Sequence, residues 1–531
     1  MKKHFKFFIE NKMLYLIPLV HFAITFFTDK LFIDFGEFNF LNYVFCKIIL
    51  FVVIFVLWTL IFKLLYRKDY KKPIKYFLIY FVPLFIILIL IFPGIWYSDD
   101  FNFLDYAKTV DFLYYLNYLT SVFYSVSLML IPIPTGVIII QLIIISVIIA
   151  YIAYRLQRIT NSKLSYIVYP IFLLPMTIYY NLYCNRPVIY GIFYLGFAAT
   201  IFLDYLEKKK ANRCKMILLC FYAAVLAIWR SEGMYLFVLA PIVLTYIYYE
   251  KNYIKNICKY FLIILTFGMI VNLPQYAATS NESKTYSFNR FLPSVINPLQ
   301  WMLTQDIKIT DEQIDSISKV LDIDAMKEYP TLLDTPCIWL NSCIIKHSDS
   351  DIEDFKKAYI NIILNNPDLF VKAKIITFYN STGIVNNVFE DCSIFYSNNG
   401  VISKFLDEYR FNNLINYDTR RYVVRILEGR NPVNHASSRI YCYINNLLVA
   451  IFALMALLIY GIIKKNKVYI IFPLLFAAHT GMIALTAPAS YFMYYYSVYL
   501  VGYFVLAIEI IYIIKHIKMR KSSSISMKKL R

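Results

Sequence analysis

The sequence predicts an all-α polytopic membrane protein of about 12 transmembrane helices, with a mainly helical extracytoplasmic domain inserted late in the chain. Three observations lead there. Of the 531 residues, 60% are hydrophobic and only 16% are charged, a balance foreign to soluble globular chains. Apolar runs of about 20 residues, the length a helix needs to cross hydrocarbon, recur from end to end. Residues 275–440 interrupt that series with a polar stretch long enough to form a domain of its own.

Taken in order, spans are expected near residues 13–29, 41–66, 75–94, 136–156, 164–181, 187–206, 213–230, 233–250, 256–273, 443–463, 468–486 and 490–514. Helix is the expected state of each, because a backbone in lipid must satisfy its own N–H and C=O groups. The first span follows the basic start MKKHFK without a small-residue cleavage site, and it reads as a retained helix. Residues 112–133 are rich in Tyr and closed by Pro132 and Pro134. They are expected to lie at the interface without crossing.

Charge then sets the threading. With these spans the basic connections YRKDYKKPIK, YRLQRITNSK, EKKKANRCK, YEKNYIKNICK and KKNK share one face with both termini. Basic connections mark the cytoplasm. The chain is therefore expected to be multi-pass in the plasma (inner) membrane, with both termini cytoplasmic and residues 275–440 outside. This gives an N-terminal transmembrane module (1–274) holding a first outer loop (95–135), the extracytoplasmic domain (275–440), and C-terminal helices with a basic tail (441–531). The net charge is +19, yet residues 275–440 carry 17 Lys and Arg against 20 Asp and Glu. The basicity is topological, so the expected partner is a lipid bilayer and not nucleic acid.

Within the insert, TDEQIDSISKVL opens on Thr310 with Gln313 three residues later, a capping box. The stretch from Ser350 to about Tyr379 reads as two helices, the first ending near Asn365 and the second beginning at Pro367. The nine cysteines show no CxxC pair and no zinc spacing. Cys337 and Cys343 can pair if their side is oxidising, and two free thiols is the simpler reading. No Walker loop, GxGxxG, GxSxG elbow or HExxH is present. Nucleotide-driven transport, dinucleotide chemistry and zinc proteolysis are thereby set aside.

The polar residues expected at outer helix ends form the candidate site. Asp99 and Asp100 follow Pro93 and Gly94 in IFPGIWYSDDFNFLDY. They read either as solvated carboxylates ending a helix or as a general base, since desolvation and like charge both raise a carboxyl group toward useful basicity. Trp96 beside them suits either a membrane belt or stacking on a sugar ring. Arg230 and Glu232 occupy the short WRSEG turn and read as an ion pair closing it, or as a phosphate contact with its partner. Arg186 invites the same two readings. His435 and Arg439, just before a span, add a further phosphate contact or a juxtamembrane anchor.

The motifs FPG…SDD, WRSEG, YINIILNNPDLFVKAKI and a P…Y stretch before the last span, in that order, resemble the glycosyltransferase-C superfamily. More narrowly they are similar to its bacterial integral-membrane members, whose loops read roughly YPGxxxxD and FRxxG. The resemblance implies transfer of a sugar from a polyprenyl-phosphate carrier to an envelope glycan, lipid or protein on the outer face, with inversion. It implies a catalytic role for Asp99 with Asp100 as its neighbour, and phosphate binding by Arg230. It leaves a divalent metal open and names no other cofactor. Many relatives carry an arginine before the tyrosine near the last outer turn, where this chain has Ser490 and Tyr491; Tyr491 and Tyr494 are the substitute hydroxyl donors. The alternatives are a lipid-carrier or polysaccharide transporter, an oligosaccharide polymerase or ligase, and a noncatalytic membrane scaffold.

Overall fold

The computed structural model describes residues 13–66, 71–249, 251–280, 288–328, 330–335, 337, 343–384, 414–430 and 439–529. Helix α1 (Met13–Thr28) packs on α2 (Phe40–Tyr66), and α3 (Lys71–Leu90) follows. The short α4 (Ser98–Lys108) and α5 (Tyr118–Leu130) precede α6 (Thr135–Thr160), against which α3 lies. After the fragments α7 (Val168–Phe172) and α8 (Pro175–Asn181) come α9 (Arg186–Leu206), α10 (Arg213–Trp229), α11 (Leu236–Tyr248) and α12 (Tyr253–Thr279). The insert supplies α13 (Leu292–Met302), α14 (Asp311–Ser318), α15 (Ile323–Glu328), α16 (Asp349–Asn365), α17 (Pro367–Ser381) and α18 (Tyr417–Leu427). Finally α19 (Arg439–Ile444), α20 (Leu447–Ile463), α21 (Lys467–Thr486) and α22 (Tyr496–Lys529) return to apolar sequence. Two isolated bridges join described residues, Ile95 with Tyr183 and Leu321 with Ile344.

Nine helices among the described residues are long and apolar enough to cross a bilayer, against the 12 expected. The three others fall short for local reasons. The described part of the first span is a 16-residue helix, and α10 has 17 residues. The span expected at 164–181 is broken into Lys163–Ile167, Val168–Phe172 and Pro175–Asn181, because Pro175 lacks the N–H a continuous helix needs there. Helix α5 has 13 residues, about 20 Å of helix against about 30 Å of hydrocarbon. It is packed against its neighbours, with Tyr118, Thr120, Ser121, Tyr124 and Leu128 buried.

Burial shows which helices form the centre. The apolar windows of α9, of the Phe492–Met519 span and of α6 are 78%, 67% and 61% buried, whereas those of α2 and α3 are 22% and that of α12 is 17%. The least enclosed helices keep apolar side chains on their outside, as a lipid solvent requires.

One end of this bundle is tied by charge. Arg155 on α6 bonds Asp204 on α9 through Nη1 and Nη2 at 3.1 and 3.2 Å and Glu207 through Nε at 2.5 Å. Lys215 and the Tyr248 hydroxyl complete the shell of Asp204. Asp204 and Arg155 are 0% and 4% exposed, so each depends on the other for solvation. Arg186 begins the same helix α9 18 residues earlier, about 27 Å away along its axis.

The insert builds a second core. Leu292, Ile296, Leu299, Met302, Ile317, Phe355 and Ile362 pack together. The Thr310 capping box is present, with Gln313 Oε1 accepting from Thr310 N at 3.1 Å. The helix pair Asp349–Asn365 and Pro367–Ser381 matches the break expected at Pro367. Cys337 and Cys343 are both buried as thiols and not joined in a disulfide.

Candidate functional site

At the end of α3 the chain must turn sharply, and its last carbonyls need donors. Gly94 takes φ +104°, a conformation that favours glycine, and a Cβ there would strike Ile138. The Ile91 carbonyl accepts the Gly94 amide at 2.9 Å and Arg420 Nε at 3.1 Å. The Pro93 carbonyl accepts Trp96 Nε1 at 3.1 Å and Thr135 Oγ1 at 3.2 Å. Arg420 Nη2 donates to the Gly94 carbonyl at 2.8 Å.

The next residues are tied to the loop that carries Arg186. Ile95 donates its amide to the Leu182 carbonyl at 2.9 Å, forming the parallel bridge with Tyr183. The Tyr97 and Tyr179 hydroxyls meet at 2.7 Å. Asn185 then points its amide at the Tyr183 hydroxyl, 2.7 Å away, and at Asp100 Oδ1, 3.5 Å away.

This arrangement separates the two acids. Asp100 is 0% exposed, and its Oδ2 accepts the Tyr97 amide at 2.9 Å, closing the first turn of α4. Asp99 is exposed one residue earlier. It stands in a recess, where surrounding protein pushes its carboxyl above the usual aspartate range and the Arg186 guanidinium pulls it back. No ion pair within 4.0 Å joins Asp99 to Arg186 among the described residues. The two attract across a gap.

Arg186 sits at the first position of α9, where the helix dipole disfavours a cation. Its Nη1 donates to the Leu116 carbonyl at 3.0 Å, and it lies in electrostatic reach of Arg230, Glu232, Asp99 and Tyr494. The Arg230 guanidinium is 6.0 Å from the Tyr190 ring centroid and 5.9 Å from that of Tyr494. Its Nε donates to Glu232 Oε1 at 2.6 Å, and Ser231 Oγ donates to Glu232 Oε2 at 3.1 Å. Arg230 Nη1 is buried without a partner. A guanidinium near two aromatic rings, paired with a carboxylate and with one nitrogen unbonded, has the geometry to donate to an anion. Gly233 permits the tight turn, since a Cβ there would meet the Leu226 carbonyl and the Tyr190 hydroxyl.

Other expected residues are placed differently. Trp96 is 0% exposed, with its ring 6.1 Å from that of Phe101, so it offers no free face for stacking on a sugar. Tyr491 is half-buried with its ring 5.9 Å from that of Tyr494, which brings it to the edge of the Arg230 cluster. Arg439 is exposed, and no ion pair or hydrogen bond joins it to the cluster among the described residues. His435 lies outside the described residues. No group of three or more potential metal ligands occurs among the described residues.

Sequence reading missed three contributors. His479 is fully buried on α21, with Nε2 2.7 Å from Ser497 Oγ and its ring stacked 5.0 Å from that of Tyr194. A lone histidine in an apolar span was the available signal. Tyr190 was hidden by the abundance of tyrosine. Arg420 is in register with buried Val424 and Leu427, and that i, i+4, i+7 placement on an apolar face was its signal. Compared with family models, with curated proteins and with solved structures, the chain has no match.

Proposed function

We propose that the protein is an inverting membrane glycosyltransferase that moves a sugar from a polyprenyl-phosphate donor to an envelope acceptor on the outer face of the plasma membrane. The observation that carries this reading is one electrostatic cluster. An exposed, desolvated carboxylate, Asp99, faces Arg186 across a gap, and Arg186 in turn neighbours the Arg230–Glu232 pair.

In this mechanism Asp99 accepts the proton of the acceptor hydroxyl as its oxygen bonds to the anomeric carbon. The bond from that carbon to the phosphate oxygen breaks on the opposite face, and its electron pair stays with the phosphate. Arg186 and Arg230 Nη1 neutralise the charge gathering there. Asp100 positions Asp99 by fixing the first turn of α4, and the protonated Asp99 returns its proton to water.

The test is transfer of labelled sugar from polyprenyl-phosphate sugars by purified protein in detergent. Loss of transfer in both Asp99→Asn and Arg230→Ala, with folding retained, supports the enzyme. Unchanged turnover in Asp99→Asn removes the base. Carrier movement across a vesicle membrane without sugar transfer favours a transporter instead.

A further inference from the structure

Arg420 enters the turn before Asp99 from a helix that sequence places 326 residues later. It is 2% exposed, and its guanidinium bonds the carbonyls of Ile91 and Gly94 at 3.1 and 2.8 Å. A cation is favoured at a helix C-terminus, where carbonyls lack intrahelical partners. A planar fork presents its donors to two carbonyls in fixed directions, which the rotating ammonium of a lysine does not. Helix α18, which carries Arg420, is itself anchored. Val424 and Leu427 join the main core, α18 packs on α8 and α3, and Tyr441 Oη donates to the Leu427 carbonyl at 2.5 Å.

The next backbone contact along the chain is the Ile95 amide on the Leu182 carbonyl, four residues before Arg186. Arg420 therefore grips the turn immediately upstream of the bridge that sets the Asp99 loop against the Arg186 loop. A buried guanidinium that bonds two carbonyls of one turn is well suited to fixing the conformation of that turn.

We propose that Arg420 is a positioning residue for the Asp99 loop, a clamp through which the inserted segment sets the distance between Asp99 and Arg186. The catalytic half of this statement rests on Asp99 acting as the base; the clamp itself does not.

The test compares wild type, Arg420→Met and Arg420→Lys as full-length protein in detergent, by amide hydrogen exchange, sugar transfer and thermal melting. Arg420→Met is expected to speed exchange at Gly94, Ile95 and the first turn of α4 while α6 and α9 stay protected. It is expected to lower kcat about 10- to 100-fold with donor KM little changed, since misplacement of a base by about 1 Å has that effect. Arg420→Lys keeps the buried cation and its donors but not the fixed planar fork, and should fall between the two. Exchange at residues 94–101 that is unchanged in the methionine variant, or in Arg420→Gln should the methionine variant not fold, overturns the clamp. Faster exchange with unchanged kcat overturns the positioning role. If Asp99→Asn remains fully active, the base assignment fails, while the exchange data still decide the clamp.

Discussion

The Asp100 carboxylate accepts the Tyr97 amide at 2.9 Å and is fully buried, while the adjacent Asp99 faces solvent. Two neighbouring acids of identical chemistry thus have different work. Asp99→Asn is expected to leave the melting temperature nearly unchanged and to lower sugar transfer by about 10²–10⁴-fold, the usual contribution of a general base. Asp100→Ala is expected to destabilise by about 1–3 kcal/mol through a lost cap and unsatisfied buried donors. Melting curves and initial rates on the two variants separate these roles.

The acid limb of the pH–rate profile follows from the recess. Burial raises the Asp99 carboxyl and Arg186 lowers it, so the active carboxylate form is lost as pH falls through a pKa above the ordinary aspartate value. Arg186→Gln removes the opposing charge. The acid limb of kcat/KM should then move to higher pH, and a shift to lower pH would contradict the electrostatic relation. The sign for stability is opposite. A carboxyl raised by folding favours the folded state at low pH, and that contribution fades as pH rises through the folded value.

Arg230 and Glu232 are 6% and 7% exposed. Arg230→Ala should cost about 3–5 kcal/mol, because Glu232 is left buried without its counter-charge. Arg230→Met combined with Glu232→Gln should recover most of that loss and none of the sugar transfer. Denaturation and activity of the two variants distinguish a structural ion pair from a phosphate site.

At the other end of α9, Asp204→Asn leaves Arg155 and Lys215 without their shared carboxylate. The expected loss is about 3–5 kcal/mol. Since about 27 Å of helix separates this network from Arg186, the donor KM of surviving protein should match that of wild type.

Much of the architecture could be read from local sequence. The polar insert is marked by composition, and Thr310 with Gln313 names a helix start that depends on only four residues. Pro367 names a break for the same reason. The span at 164–181 was misread because average hydropathy does not register where Pro175 interrupts the backbone. That α5 is buried among other helices was not legible, because a Tyr-rich stretch suits an exposed and a packed helix equally well.

What the sequence alone determined is the membrane-embedded helical character and the presence of charged residues at helix ends. Both follow from the cost of placing unpaired backbone or charge in hydrocarbon, which acts on each segment independently. Tertiary structure decided which of those charges meet. That Asp99 neighbours Arg186, that Tyr190 and Tyr494 flank Arg230 within cation–π reach, and that Arg420 holds the Gly94 turn all depend on segments far apart in the chain. Electrostatic and hydrogen-bond energies fall steeply with separation in space and carry no trace of separation in sequence.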